Sequence, residues 1–307
     1  MTDDHLVKNV AILAFLGLAM CANPLRTVAQ VRKSCPDGVT LKASAGMAAQ
    51  GSLILTEIVG PKTMPKFTSE WDGHELPLWQ ENPTTGTAGA LHGLLGVDLE
   101  KAAGTYEWKV SWPGASGDAE SCSVTIMVHA GKFRTERLTV NPQFVQPNPE
   151  QEKQAEEDSK KMHAIYDTVT PERLWQGKFR LPLKDVTTGG NFGRRRVLNG
   201  EARSPHAGVD FPAAAGTPVF ASQSGKVVLA EGLYYSGNTV VIDHGYGIYT
   251  MYAHLSKIDV QAGQMVKAGE ELGKVGATGR VTGPHLHWGL TINHARVNAM
   301  QIAQRQP

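Results

Sequence analysis

The sequence predicts a mainly β protein of two domains joined by a helical connector, and three observations carry that prediction. At 307 residues the chain is long for a single domain. Its 33 glycines and 17 prolines punctuate short runs rich in Val, Ile and Thr, a pattern of many strands and turns. Near the middle, a proline-rich and then strongly charged stretch interrupts the β pattern before it resumes. Composition also excludes some functions. Lysine plus arginine number 30 against 29 acidic residues, so no net field draws the chain to nucleic acid or an anionic membrane. A hydrophobic content of 41% argues against general disorder, and three cysteines are too few for a disulfide scaffold.

Residues 1–29 read as an export signal or N-terminal anchor. Lys8 precedes an apolar run from Val10 to Ala22 that is short for a membrane span, and Thr27-Val28-Ala29 supplies small residues suited to cleavage. Asp3 and Asp4 dilute the positive end, and Arg26 comes late. A lipoprotein box at Leu18-Ala19-Met20-Cys21 is the looser alternative, since Met20 is bulkier than the residue that normally precedes a lipidated cysteine. Each reading places the remainder outside the cytoplasm, with the periplasm preferred. Contact with a membrane would come only through that anchor or lipid.

Residues 30–146 contain the strand-like runs SLILTEIVG, GTYEWKVSW, SCSVTIMVHA and RTERLTV, separated by Gly, Pro and Ser clusters. Several short strands at this spacing predict an immunoglobulin-like sandwich. Cys122, Val124, Ile126 and Val128 alternate onto one face, expected to be buried. In an oxidising compartment Cys35 and Cys122 are either a disulfide or two inert buried thiols, and the sequence leaves both open. His74 and His92, placed in Gly-rich turns, and His129, on an outer face, read as solvated side chains. Trp71, Trp79, Trp108 and Trp112 read as core.

Residues 147–178 form the predicted connector. Pro149 followed by Glu150 and Glu152 suits a helix N-terminus, and Thr170-Pro171-Glu172 looks like a second start of the same kind. The charge run reads as a solvated face. Residues 179–307 return to dense β structure. Within them Gly216-Thr-Pro-Val219-Phe-Ala221, followed by Gly225-Lys-Val, is echoed by Gly263-Gln-Met-Val266-Lys-Ala268, followed by Gly273-Lys-Val, which predicts two similar hairpin turns in one compact sheet.

The chemistry gathers at Gly276–Leu290, GATGRVTGPHLHWGL. Side chains alternate along a strand, so His285 and His287 share a face and Leu286 takes the other. Two imidazoles on one face are half of a metal site. His206-Ala-Gly-Val-Asp210 offers the other half, and Tyr252-Ala-His254-Leu255 a third piece. Alone, HxH or HxxxD says little. Together they give three ligands of the two-His, one-carboxylate type, which catalytic zinc sites use with a fourth position open to water. The surplus imidazoles matter, because a closed structural zinc has no use for them. Spacing alone does not say which of His285 and His287 is the ligand. No HExxH glutamate is present, so proton transfer falls to histidines, whose ordinary pKa near ~6.5 suits the task.

The segments RSPHAGVDFPAAAGTPV, IDHGYGIYTMYAHLS and GATGRVTGPHLHWGL resemble, in this order, the lysostaphin/LytM-type zinc metallopeptidases, which cut peptide cross-links or stems in bacterial peptidoglycan. The resemblance covers about residues 179–300. It implies an antiparallel β-sheet peptidase domain holding one zinc per chain on His206, Asp210 and His287, with His254 and His285 catalytic. Inactive members have usually lost one of these five positions, and this sequence keeps all five. It also implies peptidoglycan peptides as substrates and leaves open which bond is cut. A non-catalytic LytM-domain protein that binds peptidoglycan or activates another hydrolase is the alternative. A carrier role, suggested by VKAGEELGKVG, lacks the Met-Lys-Met or Asp-Lys-Ala tripeptide it needs. Of the remaining polar residues, His244 reads as a hairpin turn and His294 as surface. Arg194-Arg195-Arg196 is either a carboxylate-binding group or a solvated loop with one structural arginine. Asn191 is a candidate contact to substrate or metal.

Overall fold

The computed structural model describes residues 30–61, 65–80, 89–139, 147–305 and 307; the signal or anchor expected at residues 1–29 lies outside them. Two five-stranded sheets form the N-terminal part. One runs Val31–Ser34, Thr40–Ala43, Leu53–Val59, Ala90–Gly96, Trp79–Gln80, and the other Met47–Ala49, Ala119–His129, Gly104–Pro113, Thr68–Trp71, His74–Glu75. Alternation drives their packing. The predicted face of the Ala119–His129 strand turns inward, with Val124, Ile126 and Val128 buried among Trp71, Trp108 and Trp112. Of these indoles, Trp108 donates to Ser69 Oγ at 2.8 Å and Trp71 to the Gly96 carbonyl at 2.9 Å. Cys35 and Cys122 are disulfide-bonded, which decides the alternative the sequence left open. His92 departs from expectation: it lies within the Ala90–Gly96 strand, paired in register with Trp79, and not in a turn.

RTERLTV does not join the sandwich. Thr135–Leu138 pairs in parallel with Arg195–Leu198 of the C-terminal part, which itself pairs with Glu201–Ala202. The hairpin at Arg195–Ala202 leaves an open strand edge, and the segment leaving the sandwich satisfies its backbone groups.

Helix α1 spans Pro149–Tyr166, with Pro149 in the first turn and a capping box between Asn148 and Gln151. It is not a wholly solvated connector. Asp158 is buried, and Met162, Ile165 and Tyr166 dock against Leu229, Leu233, Val241 and Tyr249 on the outer face of the C-terminal sheet. No second helix starts at Thr170-Pro171-Glu172. That segment is instead a bend tied to the C-terminal sheet, where Thr170 O accepts from Tyr246 N and Thr170 Oγ1 bonds Asp243.

The C-terminal sheet runs Gly208–Pro212, His285–Ile292, Ile248–Ile258, Gly237–Asp243, Gly225–Leu233, Met265–Val266, all antiparallel, with Glu271–Val275 paired to the Leu255–Ile258 end of Ile248–Ile258 and Pro218–Phe220 paired to Glu271–Val275. The sequence echo is real but exchanged between its halves. Val219 pairs with Gly273, Gly225 with Val266, and Gly216 N and Gly263 N donate to Val275 O and Val227 O. Each half therefore completes the other, where the sequence predicts two similar hairpin turns in one compact sheet.

One apolar core runs from this sheet into the sandwich. Leu53, Trp79 and Leu94 belong to the same buried cluster as Trp175, Trp288 and Ile292. Trp79 meets Trp175 edge-on at 5.3 Å and stacks on Tyr246 at 5.8 Å. Arg296 reaches across to Asp98 at 2.7 Å and Glu100 at 2.9 Å, and the short helix α2, Met300–Gln304, presents Gln301 to Leu53 N at 3.0 Å. These contacts lie at the Ile292 end of the His285–Ile292 strand, about 23 Å of strand from His285.

Candidate metal centre

Strand register brings the ligands together. Asp210 lies directly opposite His287, which in turn lies opposite Ala253, so their side chains share one face of the sheet. His206 stands just before the strand, its backbone tied to Arg194 O and Gly193 N at 3.0 and 2.8 Å. The three ligand atoms close a triangle. His206 Nε2 is 3.0 Å from Asp210 Oδ1, His287 Nδ1 is 3.2 Å from the same oxygen, and the two nitrogens are 3.0 Å apart. Tetrahedral ligands at zinc distances stand about 3.3 Å from one another, so these residues fit a zinc ion, and they are the group among the described residues whose donor atoms converge this way. Gly208 makes room for the His287 ring: a Cβ there would sit 2.4 Å from His287 Nε2.

His285 lies opposite Pro212, one pleat further out. Its Nδ1 bonds the Gly283 carbonyl at 2.9 Å and its Nε2 is 3.7 Å from Asp210 Oδ1. His254 reaches the same face by a β-bulge. Tyr252 pairs with Val240 and Leu255 with Asn238, so Ala253 and His254 together oppose Thr239 alone. His254 takes φ +64, its ring comes to 4.8 Å from that of His285, and its Nδ1 bonds Thr278 O at 2.9 Å. A carbonyl only accepts, so both histidines carry the proton on Nδ1 and present a free Nε2.

Electrostatics follow from this packing. Burial pushes the Asp210 carboxyl up, but hydrogen bonds from His206 and His287 outweigh it and hold the group well below the usual carboxylate range. Burial lowers His287, and lowers His254 to about 4, which favours the uncharged ring at both.

The five predicted residues are thus brought together. Asn191 joins them, its Nδ2 donating to Asp210 Oδ2 at 3.0 Å. Other candidates fall away from the site. Arg194 pairs with Glu136 at 2.6 Å as a structural arginine, and His244 is fully buried between Ser224 O and Thr250 Oγ1. His294 is partly buried, 3.1 Å from Asp167 and stacked on His74 at 4.3 Å. Sequence reasoning missed the carbonyls of Thr278 and Gly283 that orient the two spare histidines; the Gly- and Thr-rich run before Pro284 was their only trace.

The family described as Peptidase family M23 matches residues 204–299, which hold all five residues. This segment is a peptidase family M23 domain. It is 49% identical over 112 residues to the peptidoglycan DD-endopeptidase ShyA of Vibrio cholerae, covering 36% of this chain and 26% of ShyA. Over 102 residues it is 45% identical to the DD-carboxypeptidase/endopeptidase Mpg of Neisseria meningitidis, covering 33% of this chain and 24% of Mpg. The chain thus spans about a quarter of the length of each of these relatives. A Pseudomonas aeruginosa crystal structure described as an M23 peptidase superposes with a TM-score of 0.55 at 28% identity, covering 88% of this chain and 95% of that one. The mainly β architecture around the M23 domain is therefore shared along nearly the whole chain.

Proposed function

We propose that the protein is an exported, zinc-dependent endopeptidase that hydrolyses peptide bonds in peptidoglycan cross-links or stem peptides. The observation that carries this reading is the triangle of His206, Asp210 and His287 donor atoms with two further imidazoles aimed at it. Its setting in an M23 domain, with relatives named for peptidoglycan endopeptidase activity, supports the metal and the substrate class. The disulfide between Cys35 and Cys122 supports export to an oxidising compartment, the periplasm in this reading.

In this reading His206 Nε2, Asp210 Oδ1 and His287 Nδ1 hold one zinc ion. When bound, zinc supplies Lewis acidity, making water acidic enough to attack near neutral pH and polarising the scissile carbonyl. The chain's own residues do the rest. His254 and His285, each with Nδ1 turned to a backbone carbonyl, take the proton of the attacking water through Nε2 and return one to the leaving amine. Once protonated, either imidazolium donates to the developing oxyanion. The Thr278 and Gly283 carbonyls hold both rings in the required tautomer throughout.

The test is digestion of purified peptidoglycan sacculi by zinc-loaded protein lacking residues 1–29, with soluble products identified by mass spectrometry. Zinc-dependent peptide fragments, lost on chelation, are expected and would also identify the bond. Stoichiometric zinc without fragments would favour the non-catalytic alternative.

A further inference from the structure

We infer that Arg280, laid over Tyr235 at the rim of the metal site, recognises a free carboxylate on the substrate peptide beside the bond that is cut; this rests on the peptidase reading above. The loop between Val275 and His285 holds both spare histidines, through Thr278 O to His254 and Gly283 O to His285, each at 2.9 Å. Arg280 stands between these two anchors, within about 7 Å of chain from Thr278. Its backbone is fixed as well. Arg280 N donates to Tyr235 O at 2.9 Å, and Gly279, at φ +75, packs so tightly that a Cβ would lie 2.4 Å from Gly237 N.

The opposing rim loop is equally constrained. Ser236 O accepts from His254 N at 2.9 Å, and Tyr234 N donates to Asp158 Oδ2 at 2.6 Å. Asp158 is a carboxylate 7% exposed on α1 that also accepts from Gln154 at 2.8 Å. The proposed chemistry does not use it, and its place in the fold is to pin this loop. On that platform the guanidinium carbon of Arg280 sits 4.2 Å from the Tyr235 ring centroid, and both side chains are exposed.

The charge is uncommitted. Arg194 is paired with Glu136, and Arg296 with Asp98 and Glu100, whereas no carboxylate pairs with Arg280 among the described residues. Asp210, the carboxylate of the site, is committed to the two histidines. A guanidinium stacked on an aromatic ring loses part of its conformational freedom in advance and keeps its N–H edge open for a bidentate carboxylate. The substrate class is therefore a peptide with a free carboxylate next to the scissile amide.

The experiment gives the zinc-loaded full chain two synthetic peptides that differ only in a carboxylate or a carboxamide beside the scissile bond. The expected kcat/KM is at least roughly tenfold higher for the carboxylate peptide. Arg280→Gln should bring that ratio close to one, with Arg280→Lys intermediate because it keeps charge and loses the fork. A ratio near one in the unmodified protein, or one that Arg280→Gln leaves intact, overturns the inference. Calorimetric binding of both peptides to the His285→Ala variant, with and without Arg280→Gln, separates the two readings. Arg280-dependent preference in binding, without cleavage by the unmodified chain, would refute the peptidase reading and leave the carboxylate site standing. Equal binding of the two peptides, or binding of neither, would refute the carboxylate site.

Discussion

His285 and His287 are two residues apart on one strand face, yet the structure gives them different partners. His287 lies opposite Asp210 and closes the ligand triangle, whereas His285 lies opposite Pro212 with its Nδ1 occupied by Gly283 O. Replacing His285 by alanine should therefore leave zinc bound and lower turnover by about 10²–10⁴-fold, while Asp210→Ala should lose both metal and activity. Metal analysis beside a rate measurement checks this, and loss of zinc from the His285 variant would count against the assignment. His244 illustrates a different use of the same side chain. Burial holds it neutral, with its pKa lowered to about 4. Its contribution to stability is complete above the unfolded-state pKa of about 6.5 and is lost as pH falls toward 4. At about 1.4 kcal/mol per unit, the loss amounts to about 3 kcal/mol. Denaturant unfolding between pH 7 and 4 should show that slope, and His244→Gln should reduce it, leaving the contribution of His254, which burial also lowers to about 4.

Among the elements, the strand Ile248–Ile258 shows how a local irregularity makes a site. In regular alternation His254 would follow Tyr252 onto the buried face, away from His287. The bulge opposite Thr239 turns it back toward His287. YAHL in the sequence carried a resemblance to the family motif but no sign of that turn, because a bulge is defined by the partner strand's register. The disulfide acts at the same scale. It clips Cys35, at the end of the first strand, to the middle of Ala119–His129, across 87 positions of chain. Cys122→Ser should cost about 2–4 kcal/mol in unfolding free energy, read from denaturant titrations. Reductant should destabilise the unmodified protein by a similar amount and the variant not at all.

At the scale of the molecule, the boundary between sandwich and M23 domain is a continuous core and not a hinge. Trp79, which the sequence assigned to the sandwich interior with the other tryptophans, packs instead on Trp175 and Tyr246. The protein should accordingly melt in one cooperative transition, and Trp79→Ala should destabilise the whole by about 3–5 kcal/mol. Calorimetry showing two transitions, one of them untouched by the substitution, would contradict this. The same packing holds the sandwich at the far end of the His285–Ile292 strand.

By itself the sequence determined what depends on local order: the alternating faces, the cap and first turn of α1, the β-rich parts, and the five residues of the site, whose motifs recur in fixed order. Only the tertiary structure decided that His287 rather than His285 closes the triangle with His206 and Asp210, how His254 reaches the site, that Cys35 and Cys122 are joined, that Thr135–Leu138 crosses to the C-terminal part, and that the echoed halves exchange strands. The physical reason is common to all of these. Each depends on register and packing between segments far apart in the chain, and periodicity along a single segment carries no information about the partner it will meet.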